Sequence, residues 1–152
     1  MQYDRKITIS AGSNRRAMTW KPQTMLISEL WARLQAPARG TETLAAYLNM
    51  KKAQQDDLKD VGGFMAGTLS GPRRKANNVT GRDVITLDLD NIPSGGTEDV
   101  LRRVEALGCG YCIYSTRKHS PAAPRLRVLL PVDRTMTADE YEPAARKMAE
   151  YI

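Results

Sequence analysis

Two carboxylates one residue apart close the β-branched apolar run Val84-Ile85-Thr86-Leu87-Asp88-Leu89-Asp90. In a strand, side chains at i and i+2 share a face, which places Asp88 and Asp90 together, about 7 Å apart along the chain. Two like charges this close repel and are costly to bury, so the pair suits a hard divalent cation such as Mg²⁺ or Mn²⁺ between them. The alternative is a pair that caps a strand before the turn Asn91-Ile92-Pro93-Ser94-Gly95-Gly96. Downstream, Ser115, Arg117, Lys118 and His119, the only histidine, fall in or beside a Pro-rich loop, and Arg125 and Arg127 alternate onto one face of the segment that follows. Carboxylates for a metal, with a histidine and guanidiniums for phosphates, are what nucleoside triphosphate chemistry needs. Metal ions bridge phosphate oxygens, and cations neutralise charge on the leaving pyrophosphate.

A second cationic group follows a glycine-rich stretch, Val61-Gly62-Gly63-Phe64-Met65-Ala66-Gly67-Thr68-Leu69-Ser70-Gly71-Pro72, and consists of Arg73, Arg74 and Lys75. Glycines permit close backbone approach and a cationic run beside them holds phosphate, but neither the P-loop nor the dinucleotide-binding glycine pattern is present. The competing expectation is a flexible surface loop with a solvated basic tip. The composition adds weight to a polyanionic partner: 23 Lys and Arg against 17 Asp and Glu give a formal charge of +6 over 152 residues. Nucleic acid or nucleotide comes before a membrane surface, because no basic amphipathic helix and no long apolar span is present. A cytoplasmic location follows as an expectation. Cys109 and Cys112 form a lone C-x-x-C without further ligands for zinc, and are expected to be reduced thiols on opposite faces of one strand.

The elements that must position these residues are legible as patterns. Residues 6–9 alternate as a short strand closed by the turn-rich Ser10-Ala11-Gly12-Ser13-Asn14, and Arg15, Arg16 and Lys21 follow in a segment with little periodicity. The spacing of Met25, Leu26, Leu30, Trp31 and Leu34 predicts a helix over 23–34 with Trp31 in the core. Thr41-Glu42-Thr43-Leu44 reads as a helix start, with Leu44, Tyr47 and Leu48 continuing an apolar face toward Met50, and residues 51–60 are polar enough for a solvated helix or loop. From residue 82 the order is β-α-β-β: a strand at 84–90, a helix from Thr97 with Val100, Leu101, Val104 and Leu107 inward, Gly108 past its end, and strands at 111–116 and 125–132. The loop between the last two is too short for a crossover, so they should form an antiparallel hairpin. A final helix lies over 137–152 with Tyr141, Ala145, Met148 and Ile152 on one side, its regular part beginning near Glu140 or Tyr141 because of Pro143. The fold class is α+β, divided into residues 1–81, a mixed helical segment with the glycine-rich basic loop, and residues 82–152, the β-α-β-β-α unit.

Leu87-Asp88-Leu89-Asp90-Asn91, then Tyr114-Ser115-Thr116-Arg117-Lys118-His119-Ser120-Pro121, then Pro124-Arg125-Leu126-Arg127-Val128-Leu129-Leu130-Pro131 resemble the archaeo-eukaryotic primase superfamily, in particular the primase domains of phage and prophage proteins of the virulence-associated protein E and helicase-primase types. The resemblance is best over 82–152, and residues 43–75 are similar to the upstream part of such proteins. It implies an RRM-like half of a primase palm, with Asp88 and Asp90 as the catalytic metal pair and His119 on the phosphates of an incoming NTP or dNTP. It further implies a DNA template, a helicase domain or subunit as partner, and a phage- or prophage-encoded protein in a bacterial cell. Two departures matter. Arg117 stands where the family has a small residue two before the histidine. A third metal-binding acid belongs on a strand beyond Ile152; Asp133 is the available carboxylate, but a turn and an ion pair with Arg134 are its expected roles. The implied unit is therefore an incomplete nucleotidyltransferase site, inactive by itself, with a sheet edge open to self-association.

Two other classes remain. One is a non-catalytic DNA- or RNA-binding module on the same scaffold, with Arg15, Arg16, Arg73, Arg74, Lys75, Arg117 and Lys118 on phosphates. The other is a phosphohydrolase with Asp88 as nucleophile and Asp90 as acid/base, against which Asn91-Ile92 and the missing downstream acidic pair argue.

Overall fold

The computed structural model describes residues 3–152 and is mixed α+β. The elements are β1 (Lys6–Gly12), β2 (Lys21–Leu26), α1 (Ile27–Gln35), α2 (Leu44–Leu48), α3 (Lys52–Leu58), β3 (Gly63–Met65), β4 (Gly67–Leu69), β5 (Val79–Leu89), α4 (Thr97–Glu105), β6 (Cys112–Ser115), β7 (Leu126–Met136) and α5 (Ala138–Tyr151). One sheet has the order β2-β1-β3 and the other β4-β5-β7-β6. All of their pairings are antiparallel. The expected hairpin of β6 with β7 is present. Because β7 pairs with both β5 and β6, those two run parallel to each other on either side of it, joined by the crossover through α4.

The chain leaves the first sheet after β3 and enters the second at β4 with only Ala66 between, so the sheets meet there. Gly67 is required at this corner: a Cβ on it would run into the Gly81 carbonyl of β5. One core forms on the side the sheets share, from Ile7, Ile9, Ile27, Leu30, Ala66, Val84 and Leu129. A second lies on the other side of the four-stranded sheet, where Ile85, Leu87, Leu126, Val128 and Leu130 meet Val100 and Val104 of α4 and the Tyr141, Ala145 and Met148 face of α5. Successive residues of β5 and β7 thus serve two cores, as the period of a strand covered on both faces demands.

Several expectations are corrected. Residues 23–26 belong to β2, not to the first helix, because they complete the ladder with β1 from Lys6↔Leu26 to Ala11↔Lys21; Trp31 does pack on the core. The glycine-rich stretch is not a free loop: β3 pairs with β1 and β4 with β5. Cys109 precedes β6 and is exposed, so only Cys112 lies in the strand, packed against the first core, where burial pushes its thiol pKa up. The last helix begins at Ala138, with Pro143 inside it, since Thr137 and Glu140 close a capping box that satisfies its first turn. Asp133 neither turns the chain nor pairs with Arg134: β7 runs on to Met136, and Arg134 reaches Glu140 at 2.7 Å.

The β5–β7 ladder contains an irregularity. Arg82 lies opposite Met136 but Val84 lies opposite Pro131, which leaves residues 132–135 facing Asp83 alone. Asp83, 3% exposed, closes the gap. It accepts from Thr135 Oγ1 at 2.7 Å, from the Thr8 N–H at 2.9 Å and from the Arg5 guanidinium at 2.9 Å, while Arg5 Nε donates to the Val132 carbonyl at 2.7 Å. Burial opposes ionisation of Asp83, but these donors outweigh it and hold the carboxyl below its ordinary value.

Candidate functional site

Past the first core, the same face of the four-stranded sheet is open and polar. Asp88 of β5 is the ladder partner of Arg127 on β7, and Arg127 is that of Tyr114 on β6. Cross-strand partners share a face. Arg127 Nε donates to Asp88, the Arg127 guanidinium lies 3.4 Å from the Tyr114 hydroxyl, and its carbon is 5.9 Å from the Tyr114 ring centre. Burial works against the Arg127 charge, but Asp88 and Tyr114 outweigh it and raise its pKa further. Two residues along, Arg125 Nη1 pairs with Asp90 at 3.3 Å. The result is two carboxylates and two guanidiniums alternating across adjacent strands, with both carboxylates more than half exposed at 56% and 55%.

His119 joins this group through the backbone. Its Nδ1 is 3.1 Å from the Arg125 N–H and 3.2 Å from the Arg125 carbonyl oxygen. A bare Nδ1 accepts from the first, and an Nδ1–H donates to the second, so either tautomer has a partner. The loop that carries it is braced on two sides. Pro121 accepts from the Gly95 N–H at 3.2 Å, which ties it to the turn after β5. Arg117 reaches the other way, to Glu42 at 2.8 Å, to the Leu58 carbonyl at 3.5 Å and over the Tyr47 ring at 4.6 Å.

Of the residues singled out from sequence, Asp88, Asp90, Arg125, Arg127 and His119 come together. Ser115 does not: it pairs with Leu126, whose side chain belongs to the α4 and α5 side. Arg117 and Lys118 gather instead on Tyr47 of α2. Arg73, Arg74 and Lys75 lie elsewhere, on a loop docked by the Trp20 N–H to the Pro72 carbonyl at 2.6 Å and by Arg74 stacked 5.1 Å from the Trp20 ring. Sequence spacing assigns no functional role to Tyr114, Tyr47 or Asp83; the one signal for Asp83 is a carboxylate directly before the apolar run that starts at Val84.

The donor set for a metal is small. Among the described residues no three acidic, histidine or cysteine side chains cluster to hold an ion. Asp88 and Asp90 alone fit the way Mg²⁺ is bound by one or two carboxylates plus water and substrate phosphates, provided the arginines give way. No helix among the described residues is long and apolar enough to cross a membrane.

The family model described as VapE N-terminal domain matches residues 1–152. The chain belongs to the VapE N-terminal domain family. No curated protein and no solved structure matches it. In this VapE N-terminal domain the match spans both sheets and both cores, so the β1–β3 sheet and the β5–β7 face are parts of one family unit.

Proposed function

We propose that this domain binds a metal–nucleoside triphosphate complex on the open sheet face and supplies half of a phage-type primase-polymerase site. The observation that carries this is the alternation of Asp88 and Asp90 with Arg127 and Arg125 on adjacent strands. Each exposed ion pair is worth only about 0–1 kcal/mol, so the carboxylates and guanidiniums are readily repartitioned. A triphosphate with its Mg²⁺ or Mn²⁺ brings both partners at once: the carboxylates take the cation, and the arginines turn to phosphate oxygens, where a guanidinium binds in bidentate fashion. When bound, the metal lowers the pKa of an attacking hydroxyl and neutralises charge at the phosphorus. His119 stays fixed to the Arg125 backbone and offers its outer nitrogen to the phosphates.

In this reading the substrate is NTP or dNTP, the template DNA, the partner a helicase domain or subunit, and the location the cytoplasm of a bacterium carrying the phage or prophage. The test is binding of a fluorescent nucleotide with and without Mn²⁺, followed by dinucleotide synthesis and primer extension. Metal-dependent binding lost in the Asp88→Ala, Asp90→Ala double variant is the expected result. Nucleotide binding indifferent to metal and to both substitutions would overturn it.

A second reading, a nucleic-acid-binding module without catalysis, is favoured by one observation: both carboxylates are already neutralised by arginines, and among the described residues no third acid joins them to hold an ion. Oligonucleotide binding without any metal-dependent nucleotide binding is its signature.

A further inference from the structure

The loop between β6 and β7 begins with a tight turn that ends on His119. The His119 N–H donates to the Thr116 carbonyl at 2.9 Å, so Arg117 and Lys118 are the two central residues of a β-turn. Both central side chains reach toward the helical pair α2–α3. Arg117 donates to Glu42 at 2.8 Å and to the Leu58 carbonyl at 3.5 Å and lies 4.6 Å from the Tyr47 ring centre, while the Lys118 ammonium is 6.0 Å from the same ring. The Arg117 and Glu42 side chains are only 27% and 21% exposed, so solvent and salt screen this pair less than the open pairs on α4 and α5. What they lean on is itself cross-linked. Tyr47 is buried and donates its hydroxyl to the Gln55 carbonyl at 3.1 Å, and the buried Gln55 side chain donates to the Met50 carbonyl at 3.0 Å and the Leu48 carbonyl at 3.3 Å.

This helical pair has little part in joining the two sheets. Among the described residues neither hydrophobic core draws a side chain from residues 36–62, and Leu44 and Leu48 of α2 are exposed. Two arginines tie it to the rest of the domain. Arg15, between β1 and β2, meets Asp56, Asp57 and Asp60, and Arg117 meets Glu42 from the β6–β7 loop. The far side of that loop is already fixed, because Pro121 accepts from the Gly95 N–H at 3.2 Å. The freedom left is rotation of the Thr116–His119 turn about its ends. That rotation decides how the imidazole meets the Arg125 N–H, now 3.1 Å from Nδ1, and where its outer nitrogen stands. Displacements of about 1 Å are costly at such a position.

We propose that Arg117 is a positioning residue: held by Glu42 and Tyr47, it fixes the turn that aims His119 at the carboxylate face, and so makes α2 a working part of that site. What His119 is aimed at rests on the nucleotide reading above; that Arg117 aims it does not. The chain has one histidine, so its imidazole nitrogen resonances report His119 alone, without any ligand. Arg117→Gln and Glu42→Gln are each expected to shift those resonances and that of the Arg125 amide, and the charge-swapped Glu42→Arg, Arg117→Glu double variant to bring them back toward the native positions. Arg102→Gln on α4 is expected to move none of them. The same single variants are expected to weaken Mn²⁺–nucleotide binding by roughly three- to tenfold, the loss of one hydrogen bond to the phosphates, with recovery in the swapped pair. A folded Arg117→Gln protein that is less stable but keeps the native imidazole resonances overturns the proposal, since Arg117 is then only a strut for α2. Shifted resonances with unchanged nucleotide affinity overturn it as well. Should the native domain bind no nucleotide, the reading of the carboxylate face fails by itself and the resonances decide the role of Arg117. Should Arg117→Gln not fold, Glu42→Gln breaks the same ion pair from the other side and decides in its place.

Discussion

Aspartate–arginine pairs lie near the middle of strand β5, at Asp83, and at its C-terminal end and just past it, at Asp88 and Asp90, and they are built for different purposes. Asp83 is 3% exposed and accepts from a hydroxyl, a backbone N–H and a guanidinium that reach it from two strands and the segment before β1. Asp88 and Asp90 are each more than half exposed and each meet one arginine. Removing a member of the first group strands buried donors, while removing one of the second returns an arginine to water. The number of donors and the burial, not the pairing itself, separate an acid that holds the fold from an acid free to change partners.

Four experiments can break or sharpen that contrast. Asp83→Ala is expected to lower the unfolding free energy by about 3 kcal/mol, because it takes the acceptor from the Thr8 N–H and the Thr135 hydroxyl and the counter-charge from Arg5; chemical denaturation measures it. The Asp88→Ala, Asp90→Ala double variant is expected to cost less than about 1 kcal/mol by the same measurement, yet to lose roughly tenfold or more in affinity for a Mn²⁺–nucleotide complex. A large stability loss there would erase the distinction. The third concerns acid. Asp83 has a folded-state pKa below its ordinary value of 3.8, so its stabilising effect is complete above that value and disappears as pH falls through the lowered one. Asp83→Asn should remove this part of the acid dependence, giving a shallower fall of stability below pH ~4 than the native chain shows. Smallest is Tyr114→Phe: loss of the hydroxyl 3.4 Å from Arg127 should shift nucleotide affinity by no more than about threefold and leave stability nearly unchanged.

The spacing of residues within one strand was enough to bring Asp88 to Asp90 and Arg125 to Arg127, because a strand decides side by parity. The hairpin and α4 were equally legible from apolar runs bounded by turn residues. What escaped depended on partners distant in sequence. Residues 21–26 carry a proline and sit exposed at a sheet edge, so only pairing with β1 makes them a strand. β3 and β4 are three residues each, too short to show any period. Arg117 looked like a phosphate ligand from its neighbours, but Glu42 and Tyr47, far upstream, occupy it. Asp83 and Arg82 carry no readable pattern in the sequence, because the irregular pairing at Arg82–Val84 interrupts the alternation that reveals the rest of β5.

That interruption also uncouples the two halves of the β5–β7 ladder in register. Residues 132–135 have no one-to-one ladder partners, and on either side the pairing is set independently, by Arg82↔Met136 below and Val84↔Pro131 above. Adding or deleting a residue within 132–135 therefore leaves Asp88 opposite Arg127 but displaces Val132 or Thr135 from its contact with Arg5 or Asp83. The strand behaves like two rulers joined by a loose link, and variation in length is absorbed at the link while the graduations at the functional end stay aligned.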